Sequence, residues 1–155
     1  MSCDVAAAAA YLWLAAASPI HAPATLIPIT SPEVATPSGG VAYEPLFADI
    51  IRRAGKLKAE VETMRKTSGT TTDAFRGEVK DLSDLDMQGH VTLAQRGTDG
   101  DLKCILKGIS QDLPVKLEAL DAAKTPKDRE MALTDLGYLL NDNVEVITAP
   151  PKPPV

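Results

Sequence analysis

Between Pro45 and Ile147, apolar residues return every three or four positions in four stretches separated by short polar breaks. That spacing follows the 3.6-residue turn of an α-helix, and a stripe built this way must be buried against other helices. The first stretch opens at Glu44-Pro45, with proline at a position the first turn tolerates. Leu46, Phe47, Ile50, Ile51, Ala54, Leu57, Val61 and Met64 share one face, Asp49, Arg52, Arg53, Lys56 and Glu60 fall opposite, and Thr67-Ser68-Gly69-Thr70 ends the run. The second starts near Thr72-Asp73 and reaches Arg96, with Phe75, Val79, Leu82, Leu85, Gly89 and Leu93 in line. Gly97-Thr98-Asp99-Gly100 breaks it with residues that tolerate unusual φ.

The third stretch runs from Asp101 to about Lys124 along Leu102, Ile105, Leu106, Ile109, Leu113, Leu117 and Leu120. Pro114 removes one ladder hydrogen bond in its middle and should kink it. Thr125-Pro126-Lys127-Asp128 opens the fourth as a capping box, and its stripe is Leu133, Leu136, Leu140, Val144 and Ile147. Four such helices with short connections predict an all-α fold, an antiparallel up-down four-helix bundle over 45–148. One competitor pairs HVTLAQR with LKCILKG as a β-hairpin across the intervening turn. Helix is the better reading, because the stripe from Leu102 to Leu120 holds for five turns and a short strand would waste it.

Outside the body, proline dominates. Six prolines lie from Pro19 to Pro45, and Pro150, Pro151, Pro153 and Pro154 close the chain. Proline fixes φ and removes a donor, so 25–44 reads as an extended linker and 149–155 as a proline-rich tail, the flexible N- and C-terminal arms of the bundle. The tail also has the composition of a polyproline ligand for a partner's groove. Before the linker, Val5 to Ala17 is an unbroken apolar run. Its helix would be roughly 20 Å long against a hydrocarbon core of ~30 Å, which suits a signal peptide better than a membrane span. Pro19 follows, and Ala22-Pro23-Ala24 supplies small residues where a signal peptidase reads, with cleavage expected after Ala24. Residues 1–4 carry no Lys or Arg, and Asp4 has the wrong sign for an export leader. The chain is therefore expected to be periplasmic or secreted; the alternative is a cytoplasmic protein that keeps an alanine-rich N-terminal helix.

The 155 residues carry a net charge of -5, which leaves no basic field for nucleic acid or anionic lipid. Aromatics at 4% offer no stacking surface for bases or sugars. Two cysteines make no disulfide framework and lack metal-ligand spacing. No phosphate loop, nucleophile elbow, zinc motif or dinucleotide fingerprint occurs.

Two positions break the pattern. At about 100° per residue from Phe75, Asp86 lands about 20° from the second stripe's centre and His90 about 60°, so the two side chains can meet. A carboxylate aimed at a core is costly unless paired. Asp86 and His90 are thus candidate metal ligands, proton acceptor or pH switch; otherwise they form an ion pair at the bundle's edge. Two ligands fall short of the three or four a metal wants. Asp84, Asp86, Gln88, Gly89, His90, Thr92 and Gln95 also echo calcium-loop spacing, but Gln95 replaces the bidentate glutamate.

Cys104 is the second anomaly, about 200° from Leu102 and off the main stripe. It shares its line with Gly108, Val115, Ala119 and Ala122, which marks a second packing face or a dimer contact, with Cys104 either buried or in an intermolecular disulfide. A catalytic Cys104 with His90 lacks a third residue and an oxyanion donor. Haem would draw on His90 with Met64, Met87 or Met131. The composite expectation is a small exported helical bundle with a non-enzymatic binding or structural role in the cell envelope. Its partner is another protein or a second copy, not nucleic acid, with no stable membrane span. The alternatives are a cofactor- or metal-binding bundle using Asp86 and His90, and a cytosolic helical adaptor with its N-terminus intact.

Overall fold

A computed structural model of the protein describes residues 40–97 and 100–150. Among them a 3-10 turn at Val41–Tyr43 leads into four helices: α1 (Pro45–Thr67), α2 (Asp73–Gln95), α3 (Leu102–Ala122) and α4 (Pro126–Thr148). The fold is all-helical, as the apolar periodicity predicts, and the segments weighed as a hairpin lie in α2 and α3. The expected leader, the linker up to Gly39 and the tail from 151 lie outside the described residues. The end of the expected linker does not stay extended, because Val41 and Ala42 fold as a turn and pack against the core.

Local chemistry sets the helix ends. Thr72 accepts a hydrogen bond from the Phe75 backbone N–H at 3.1 Å, and Thr125 does the same for Asp128 at 3.1 Å. Caps of this kind are each worth about 1 kcal/mol. The expected capping box at Thr125 closes differently: the Asp128 carboxylate accepts from the Thr125 hydroxyl at 2.7 Å. α1 stops where Ser68 turns left-handed at φ 53°, with Gly69 next in the chain.

Polar contacts give the helix directions. Glu44, just before α1, binds Arg96, just after α2, through two bonds of 2.8 and 2.6 Å. Arg65 near the end of α1 meets Glu130 near the start of α4, and Lys116 of α3 meets Asp135 of α4. Neighbours in sequence therefore run antiparallel, and α1 closes the ring by packing on α4. Phe47, Leu57, Leu82, Leu113, Leu136 and Leu140 are among the side chains that fill the centre, wholly or almost wholly buried. Each large apolar side chain so buried contributes about 1.5–3 kcal/mol.

Two details differ from the expected stripes. On α4, Val144 is only half-buried, while Asn143, one residue earlier, is completely buried. The spacing Leu136, Leu140, Asn143, Ile147 is the inward line. On α3, the helix continues through Pro114. Proline has no N–H to offer the carbonyl four residues back, which belongs to Ser110. Ser83 of α2 supplies the missing donor, its hydroxyl reaching that carbonyl at 2.6 Å. A defect in one helix thus becomes a joint between two. No described helix is long and apolar enough to cross a membrane.

Candidate functional site

The only fully buried ionisable group among the described residues is Asp86. Its place on the apolar side of α2 follows from helical geometry, as its angle from Phe75 implies. Its partner is not the one that geometry suggests. Asn143 of α4 donates its Nδ2–H to Asp86 Oδ2 at 2.8 Å, and both residues are 0% exposed. α2 and α4 sit diagonally and share no close backbone packing, so the two side chains meet across the middle of the bundle. Asp86 Oδ1 and Asn143 Oδ1 are also buried, and neither has a hydrogen-bond partner. Burial pushes the Asp86 carboxyl up to about 8, with the Asn143 hydrogen bond pulling weakly the other way. A low-dielectric site disfavours the charged form, and among the described residues no cation is bonded to it.

His90 is one turn further along α2 and 9% exposed, and it faces α3 rather than Asp86. Its Nδ1 lies 2.7 Å from the Lys103 carbonyl oxygen, which can only accept, so Nδ1 carries the proton. The contact ties the end of α2 to the first turn of α3. The expected Asp86–His90 pair therefore does not form, and the edge ion pair does not either. Among the described residues, no three His, Cys, Asp or Glu side chains converge where they could hold a metal ion. The calcium-like spacing lies wholly within α2, where a continuous helix sends Asp84 and Asp86 to different faces. His90 and Met64 lie near opposite ends of the bundle. Antiparallel pairing sets His90 level with the first turns of α1, some fourteen residues and roughly 20 Å from Met64. Met131 is 56% exposed.

Cys104 is half-buried and disulfide-bonded. Gly108 is half-buried beside open space: a Cβ added there would meet nothing within 4 Å. Further along the same line, Val115, Ala119 and Ala122 are exposed, so this face of α3 points away from the other three helices. The depression between the ends of α1 and α4 includes Met64, Arg65, Lys124 and Arg129. Its arginines are engaged, Arg65 with Glu130 and Arg129 with the Gly69 carbonyl.

Sequence reading missed Asn143, Ser83 and Ser110. The signal for Asn143 was present, since it occupies a stripe position three residues after Leu140 and four before Ile147. Compared with known proteins, the chain matches no protein-family model, no curated protein and no solved structure.

Proposed function

We propose that this chain is an exported helical bundle whose role in the cell envelope is to bind or to hold apart, without chemistry of its own. The observation that carries the structural half is how the charged side chains are used. Each of the four helix seams is closed by a polar bridge: Lys56–Glu78 between α1 and α2, Arg76–Asp121 between α2 and α3, Lys116–Asp135 between α3 and α4, and Arg65–Glu130 between α1 and α4. Its two completely buried polar side chains among the described residues, Asp86 and Asn143, are directed at each other. Such a body suits a spacer or docking block carried between proline-rich arms. The export half rests on the apolar run Val5 to Ala17 followed by Pro19 and Ala22-Pro23-Ala24.

The test is the intact mass of the protein recovered from its own cells under non-reducing conditions, with cell fractionation alongside. A chain starting at Thr25 in the envelope or medium is the expected result. A full-length chain in the cytosol would overturn export and leave the helical-adaptor reading.

A further inference from the structure

The geometry at the bundle centre poses a specific problem. Two acceptor oxygens, Asp86 Oδ1 and Asn143 Oδ1, are buried on side chains already joined by one hydrogen bond, and neither has a donor. An unpaired buried acceptor costs about 1–3 kcal/mol, and more if it belongs to an ionised group. A single proton shared between the two oxygens would satisfy both.

We propose that Asp86 is held as the neutral acid in the folded bundle and forms a two-bond ring with Asn143, a proton-dependent lock at the centre of the fold. Asn143 Nδ2–H donates to Asp86 Oδ2, and Asp86 Oδ1–H donates to Asn143 Oδ1. Loss of that proton leaves a bare carboxylate facing an amide oxygen, with apolar side chains around them. Phe47 and Ile50 of α1 and Leu106 of α3 crowd Gly89, less than one turn along α2. Among the described residues, no cation is bonded to the Asp86 carboxyl. The charged residues of α1 nearest this level are Asp49, Arg52 and Arg53, both arginines being bound to Asp49, and Asp142 and Glu145 of α4 are exposed. On α3, Lys103 and Lys107 are half-buried, and His90 of α2 is turned to the Lys103 carbonyl.

The sign of the linkage follows. An unfolded aspartate titrates at its ordinary value of 3.8, while the folded one holds its proton to about 8. The folded form therefore binds the extra proton, and its stabilising effect is complete below the unfolded value and lost as pH rises toward the folded one. The bundle is tightest in acid and loosens toward alkaline conditions. Asp49, held low by Arg52 and Arg53, and Asp121, held low by Arg76, act the opposite way: their contribution is lost as pH falls through and below 3.8. The two windows do not overlap.

The test is a side-chain carboxyl carbon-13 NMR titration of the full-length protein, read at Asp86, from about pH 4 to about pH 9. A carboxyl still protonated at about pH 6 and ionising near 8 is the expected result; one already ionised at about pH 6 overturns the lock. Urea unfolding across the same range gives an independent reading. The wild-type unfolding constant should rise by up to about tenfold per pH unit between about pH 5 and 7, relative to Asp86→Asn. The amide in that variant keeps both ring bonds and has no proton to lose. Equal pH slopes in the two proteins would also overturn the lock. If Asp86→Asn does not fold, the wild-type titration decides alone. The lock operates wherever the bundle resides, so its test does not depend on export.

Discussion

Asn143 illustrates what a single polar side chain does inside an apolar bundle. It supplies the one protein donor that Asp86 has, so its loss is felt through the partner it abandons. Asn143→Leu should destabilise the protein at neutral pH by about 1–3 kcal/mol, because it leaves the buried acid without its hydrogen-bond partner. Asp86→Leu combined with Asn143→Leu should recover most of that loss, since an apolar pair has nothing to leave unsatisfied. Urea midpoints of the two variants and the wild type check this, and a double variant as unstable as the single one would contradict it. Asp86 was legible in the sequence because an acid among leucines and phenylalanine stands out. Asn143 has the spacing of the stripe but is masked by the neighbouring Val144, the more obvious apolar residue, which draws the stripe one position aside. The error is a rotation of 100°, about the tolerance within which an apolar face is drawn on a helix.

The joint between α2 and α3 rests on the carbonyl of Ser110, freed by Pro114 and taken up by Ser83. Ser83→Ala should cost about 1–2 kcal/mol, leaving that half-buried oxygen without a donor. With Pro114→Ala in the background, residue 114 regains an N–H that can bond Ser110 directly, and Ser83→Ala should become nearly neutral. A double-mutant cycle measures the coupling, and additive effects would show that the two features act separately. Helix limits were readable to within a residue or two, because prolines, glycines and Thr caps mark them locally. The Ser83–Ser110 contact was not. It depends on which face of α3 docks against α2, and no local signal within either helix states that. The same gap hid the choice of His90 for the Lys103 carbonyl. Pro114 was correctly seen to remove a bond, but its consequence lay in another helix.

Across the molecule, stability divides unequally between seams and centre. The bridging pairs are exposed, and surface ion pairs of this kind contribute about 0–1 kcal/mol each. High salt should therefore shift the urea midpoint only slightly. By contrast, Leu113→Ala, a wholly buried site, should cost about 2–5 kcal/mol. A large loss of stability in salt would mean that the seams, not the core, hold the bundle. The all-helical architecture was legible because four stripes need one another to be covered. The order of helices around the axis was not, since bundles turning either way share one pattern.

The Val41–Tyr43 turn packs against α4, and Gly40 and Val41 line the same depression as Ile147 and Pro150. Entry and exit of the body thus lie side by side at one end. A pull applied between them would part α1 from α4 turn by turn, like opening a zip, rather than slide them past each other along their whole length. Mechanically, the body is a clasp that yields to tension applied at its two ends.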